Sequence, residues 1–194
     1  MQNKAKSPKG QRRIGNILDA ATDILVNEGY GSFSMRRVAE RLGLRLSSVQ
    51  YYFNGPGDLL CALFDRSLQR SIEKLRDAPD PENLASSVEF VLNEQLTLDY
   101  CLMFWELWPQ AARDSDINAV FNHFYAEYKS YIESVLRTTH PKLQGAARRR
   151  RATIIMGLLE GLSLFRGVEG RLDGSRRHLD ADAIKAVAAI AALD

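Results

Sequence analysis

The sequence predicts an all-α chain, an N-terminal three-helix head carrying a helix-turn-helix and then a larger helical body. Apolar residues recur at helical spacing in one segment after another, and no stretch keeps the alternation of a strand. Glycine or proline stands at the ends of the head's helices.

From Gln11 to Glu28, Ile14, Ile17, Leu18, Ala21, Ile24 and Leu25 line one face of an amphipathic helix, and Gly29 is placed to cap it in a left-handed conformation. Tyr30 and Phe33 are expected to pack beneath that helix. Ser34 is an N-cap for a second helix, MRRVAERL, with Val38, Ala39 and Leu42 inward, and Gly43 breaks it. A turn from Gly43 to Leu46 leads into a short third helix, roughly Ser47 to Phe53. Pro56 presets the first turn of a long fourth helix reaching about Arg76. The stretch RDAPDPENL, with two prolines among acidic residues, is the internal boundary. Beyond it the pattern predicts helices near 82–98, 100–113, 116–138, 143–168 and 180–193, with Pro109 kinking or ending its own. The organisation read from this is a basic disordered tail over 1–10, a DNA-binding head over 11–56 with its motif at about 34–53, and a body over 57–194.

At 194 residues, 45% hydrophobic and 26% charged, the chain is long enough for a real core and ordinary for a globular protein. No apolar run reaches the roughly 18 residues that span a bilayer. The basic N-terminus lacks a signal peptide's apolar core. No membrane partner and a cytoplasmic location are therefore expected. Cys61 and Cys101 lie in apolar helical patterns without metal-ligand spacing and read as buried free thiols. His123, His140 and His178 are scattered. Neither metal nor cofactor is expected. GxSxG, P-loop and dinucleotide fingerprints are missing, so the chain does not read as an enzyme.

Charge points to a partner. Residues 1–70 carry 11 Lys and Arg against 6 Asp and Glu, whereas residues 71–194 carry 15 against 18. A basic first third on a slightly acidic remainder suits a polyanion at the head. Two short helices joined by a glycine-containing turn and braced by a longer one make a helix-turn-helix, whose second helix enters the major groove. In that reading Ser47, Ser48 and Gln50 meet bases and phosphates, Gln50 pairing with adenine and the Tyr51 ring meeting a thymine methyl. Tyr52 offers a hydroxyl to phosphate, while Val49 and Phe53 face inward. Ser34 stands at the start of the motif as a further contact. Arg36, Arg37, Arg41 and Arg45 flank the turn and can neutralise backbone charge.

The run SMRRVAERLGLRLSSVQYYFNGPGDLL, with its lead-in RRIGNILDAATDILVNEGYGSFSM, resembles the DNA-binding head of the TetR family of bacterial transcriptional regulators. The resemblance is close over about residues 11–65 and loose beyond. Two positions depart from the family pattern. Gln50 replaces the first aromatic of the recognition helix's closing run, and Pro56 replaces the lysine that usually begins the fourth helix. A phosphate there would meet backbone N–H groups at Gly57 and Asp58, with the Asp58 charge opposing it.

The resemblance implies a homodimer on a near-palindromic double-stranded operator, most simply a repressor released by a small-molecule effector. An activator, or a regulator answering to a protein partner, stays open as the alternative. It also implies a ligand cavity in the body, where Phe104, Trp105, Trp108, Phe121, Phe124 and Tyr128 are its candidate walls and an apolar or aromatic effector its candidate occupant. The residues themselves read most of these rings as plain core, and it is the resemblance that favours a cavity. Gly157 and Gly161, spaced as GxxxG and accompanied by Ile154, Leu158, Leu162 and Phe165, suggest close helix packing across a dimer. The candidate interface is thus Leu158, Gly161, Leu162 and Phe165. The four arginines 148–151 fan around a helix and form no single stripe, so they read as a solvated helix start or as ion pairs.

Overall fold

In a computed structural model of the chain, residues 7–77, 83–95, 98–166 and 176–193 are described. Among them the regular structure is helical throughout: α1 (Pro8–Glu28), α2 (Met35–Arg41), α3 (Leu46–Gln50), α4 (Pro56–Arg76), α5 (Leu84–Glu94), α6 (Leu98–Ala111), α7 (Ser115–Thr139), α8 (Gly145–Arg166) and α9 (Arg176–Ala191), with a short 3-10 turn at Tyr30–Ser32. No described helix is long and apolar enough to cross a membrane.

α1 begins at Pro8, inside the stretch expected to be a disordered tail. Ser7 accepts a hydrogen bond from the Gly10 N–H (3.1 Å), and Pro8 sits where a missing N–H costs nothing. Residues 1–6 of that expected tail, most of the RDAPDPENL linker and residues 167–175 lie outside the described residues. The remaining helices fall within a few residues of their expected bounds. α3 is the shortest: it stops at Gln50, and Tyr51 and Tyr52 form a turn. Gly29 takes φ 77 with ψ 169, so it needs glycine's freedom without being the left-handed helical cap the sequence suggests. Tyr30 is exposed rather than packed beneath α1. It stacks on Phe33 (6.4 Å between ring centroids), and its N–H donates to Glu106 Oε1 (3.3 Å). Pro109 lies in the last turn of α6, which ends two residues later.

Two compact units result. In the first, the described residues up to Gln69 pack with Leu102–Phe121; the second comprises the rest. The division therefore falls later than the expected boundary after residue 56. In the first unit Leu59, Leu60, Leu63, Phe64 and Leu68 of α4 are buried together with Ile17, Ile24, Val38, Val49 and Phe53 of the head and Leu107 of α6. Arg66 of α4 reaches Gly15 O (3.3 Å) and Asp19 (2.9 Å) on α1. Most of α4 is thus core to the head rather than a connector beyond it.

The second unit is tied internally by two buried arginines of α8. Arg166 donates to Asp180 on α9 (2.5 and 3.0 Å) and to Leu92 O at the end of α5 (3.1 Å). Arg151 donates to Ala191 O (2.5 Å) and to Leu193 O, satisfying carbonyls that α9 leaves open at its C-terminus. Of the four-arginine run, this one is a buried cap. Arg149 and Arg150 are exposed.

Candidate nucleic-acid interface and interior cavity

The turn between α2 and α3 is closed by backbone bonds, Gly43 N–H to Glu40 O (3.1 Å) and Leu44 N–H to Ala39 O (2.8 Å), with Gly43 at φ 61. Val49 and Phe53 are sealed in the core and hold α3 by its inner side. The helical period then turns Ser47, Gln50 and Tyr51 outward at i, i+3 and i+4, all three exposed, with Ser48 and Tyr52 half-buried beside them. Tyr51 and Tyr52 meet edge to face (4.9 Å, 88°), which orients both rings. A short, rigid nose of hydroxyls, an amide and a ring is the shape that enters a major groove.

The nose borders an open groove of about 530 Å³ lined by Ser47, Ser48, Tyr51 and Tyr52, with Ser7, Lys9 and Arg13 from the start of α1 across from them. Lys9 and Arg13 line this groove beside α3 and were not singled out from the sequence. Lys9 fell in the stretch expected to be a tail, whereas Arg13 lay inside the expected first helix with no local mark of a groove. We expect Lys9→Ala and Arg13→Ala each to lower the salt dependence of DNA binding by about one phosphate equivalent without changing sequence preference, as read from log Kd against log salt.

The flanking arginines separate into two kinds. Arg36 and Arg45 are exposed, and no carboxylate among the described residues pairs with them. Arg37 bonds both oxygens of Glu28 (3.0 Å each), and Arg41 pairs with Glu28 and Asp23. Glu28 holds the Arg37 guanidinium above its ordinary pKa. These two side chains brace α2 against α1, and their charge is already answered, contrary to the phosphate role first assigned to all four. Ser34 is half-buried, and its Oγ accepts from the Arg37 N–H (3.1 Å). Its main work is to cap α2, leaving only the hydroxyl proton for a phosphate. At the start of α4, Asp58 accepts from the Asn54 N–H (2.9 Å), and Asp114 stands 3.9 Å from where a Cβ on Gly57 would be. Two carboxylates thus occupy the helix end considered for a phosphate, and their charge opposes one.

Of the six candidate ligand-binding rings, the structure gathers only Phe124 and Tyr128 around an interior cavity. That cavity lies wholly in the second unit and measures about 20 Å³, with Ser71, Lys74, Leu75, Phe90, Val91, Glu94 and Glu160 completing its wall. Phe104, Trp105, Trp108 and Phe121 fall in the first unit and do not line it. Phe104 is buried there and the other three are half-buried. Their likeness in type to Phe124 and Tyr128 concealed a difference in place that helix periodicity alone does not resolve.

Glu160 was not singled out from the sequence. It is 6% exposed and accepts from Tyr125 OH (3.2 Å) and Gln95 Nε2 (3.4 Å), two neutral donors. Burial pushes its carboxyl up to about 7, against the smaller opposing effect of those bonds. The folded chain therefore keeps a proton that the unfolded chain releases near its ordinary value of 4.5. We expect this group to make stability fall as pH rises from about 5 to 7, and Glu160→Gln to flatten that slope, as read by thermal melts across the range. Burial likewise pushes the Cys61 and Cys101 thiols up, Cys61 further by Asp116 and its acidic neighbours, which leaves both poor nucleophiles. Among the described residues no His, Cys, Asp and Glu cluster could hold a metal.

On α8 the described residues present Ile154 (52% exposed), Leu164 (37%) and Phe165 (56%) outward, with Leu158, Gly161 and Leu162 half-buried on the same side. A Cβ added at Gly157 or Gly161 would meet nothing of the described residues within 4 Å, so no packing among them requires glycine at either position.

Helical head, glycine turn and outward polar nose define a helix-turn-helix. Residues 17–63 match the family model described as bacterial regulatory proteins, tetR family. Over those residues, which lie in the head, the chain is similar to that family. It is similar to an uncharacterised helix-turn-helix transcriptional regulator of Xanthobacter autotrophicus, 29% identical over 127 residues, 61% of this chain and 63% of that one. It is also similar to the transcriptional repressor DrrR1 of Streptomyces coeruleorubidus, 34% identical over 94 residues, 48% of this chain and 34% of that one. The chain spans less than two thirds of the length of these curated relatives. In fold it is similar to a transcriptional regulator from Saccharomonospora viridis solved in complex with choline, with a TM-score of 0.77, 18% identity, and coverage of 90% of this chain and 96% of that one.

Proposed function

We propose that the protein is a ligand-responsive repressor that binds a near-palindromic operator as a homodimer in the cytoplasm and leaves it when a small molecule enters the second unit. The observation that carries the reading is the pairing of an exposed recognition nose, Ser47, Gln50 and Tyr51, with an interior cavity elsewhere in the same chain. One relative is named a repressor and one structural neighbour holds choline, and both support a binding role over catalysis. The apolar outer side of α8 supports self-association, since scattered apolar residues are ordinary on a surface but a continuous stripe with two unneeded glycines is not. Two recognition helices held one helical turn apart, about 34 Å, read the two halves of a palindrome.

A ligand shifts this equilibrium only by the difference in its affinity for the two shapes of the body. The test is a gel shift on an operator recovered by selection from random duplexes, repeated with a small-molecule panel. Release of DNA by a compound that also binds the isolated protein is the expected result. Compounds that bind the protein and leave operator affinity unchanged, across the whole panel, would count against ligand control.

A further inference from the structure

We infer that the cavity of the second unit takes a small organic cation, an ammonium group carried on an apolar or aromatic body, whose charge pairs with Glu160. The inference rests on the ligand-responsive reading above and names the chemistry of that ligand.

A buried carboxylate normally has a cation or a metal for company, because burying charge alone is costly. Glu160 has two neutral donors instead, Tyr125 from α7 and Gln95 from the end of α5. Two cations on the surrounding elements are already engaged. Lys74 on α4 is held by Glu94 on α5 (2.5 Å) at the solvent edge of the cavity. Arg166, farther along α8, is committed to Asp180 and Leu92 O. The Cys101 thiol of α6 lies 3.6 Å from Gln95 O, and burial keeps it neutral. Among the described residues the interior therefore holds one carboxylate in excess of its cations.

The rest of the wall suits a cation as well. Phe90, Phe124 and Tyr128 bring rings to the same space, and the negative faces of aromatic rings attract ammonium groups. The cavity of about 20 Å³ has room for one group the size of a water molecule, which is the size of an ammonium head. The body attached to that head has to displace side chains at the mouth. Bound and empty forms then differ in shape, as ligand control of a distant site requires.

The charge state supplies the test. With the carboxyl pushed up to about 7, Glu160 is mostly protonated at pH 6 and mostly ionised at pH 8. A ligand that stays cationic over this range binds the ionised form, so its affinity rises with pH, by roughly tenfold between those two values. Benzylamine, cationic throughout, and benzyl alcohol, its neutral counterpart of the same size, are titrated into the full chain by calorimetry at both pH values without DNA. We expect benzylamine to bind more tightly than benzyl alcohol at pH 8, to weaken roughly tenfold at pH 6, and to lose both the charge preference and the pH dependence in Glu160→Gln. Equal affinity for the two probes at pH 8, a pH-independent benzylamine affinity, or binding of neither would overturn the inference. The wild-type comparison needs no variant, so a Glu160→Gln protein that failed to fold would not remove the test. With no DNA present, failure here leaves the repressor reading standing. Benzylamine bound without operator release would count against that reading while leaving the Glu160 pairing intact.

Discussion

Leu162→Arg is expected to turn the protein into monomers and to lower operator affinity by roughly a hundred- to ten-thousandfold, because the second head's contacts are lost along with its effective concentration. Leu162 lies half-buried on the outer side of α8, between Leu158 and the 56%-exposed Phe165. An arginine there reaches water in a monomer at little cost, whereas in a helix–helix contact it buries an unpaired charge. The opposite side of the helix, with Ile155, Leu159 and Ser163 buried, is untouched. Helix content and melting temperature should therefore stay close to wild type. Sedimentation at micromolar protein and a gel shift on the same preparation check both halves of the claim. A wild-type chain that is itself monomeric would remove the basis for it.

The double variant Gln50→Ala, Tyr51→Ala should lose operator discrimination while keeping fold, dimer and salt dependence. Each well-made base contact is worth about 1–3 kcal/mol, so the pair should cost at least tenfold in specific affinity and little in affinity for unrelated DNA. Val49 and Phe53 still anchor the helix, and the exposed Gln50 and Tyr51 carry little of the packing. Arg36→Ala should act in the opposite way, weakening binding to every sequence alike and reducing the salt slope by about one. Competition titrations with operator and random duplex separate the two behaviours. An unchanged operator Kd in the double variant would place recognition somewhere other than α3.

Much of the head was legible in the chain. Ser34, Gly43 and Pro56 mark helix ends through local chemistry that acts within a few residues, and the structure places α2 to within a residue of the expected span and α4 on it. The outward set on α3 was also legible, because a five-residue helix anchored by Val49 and Phe53 leaves few choices for the positions between. Arg37 and Arg41 were not legible as braces. Their partners Asp23 and Glu28 are on α1, and no spacing rule links a cation to a carboxylate across a turn and a 3-10 segment. Lys9 was hidden for a related reason, since whether Pro8 ends a tail or starts a helix depends on what α1 packs against, and no spacing rule brings Arg13 of α1 beside α3.

The sequence by itself determined the helical class, the order of the elements, the helix-turn-helix and its polar nose, since all of these follow from periodicities and caps that act over a few residues. Only the tertiary structure decided how α4 and α6 contribute to the head, which aromatic rings share a cavity, and that Glu160 stands in the wall of that cavity with neutral partners. Glu160 on α8, Gln95 at the end of α5 and Tyr125 on α7 are brought together by the packing of three helices. Burial and the lack of a counter-charge belong to that packing rather than to any residue's neighbours in the chain, so a glutamate in an amphipathic pattern carries no mark that it will be enclosed.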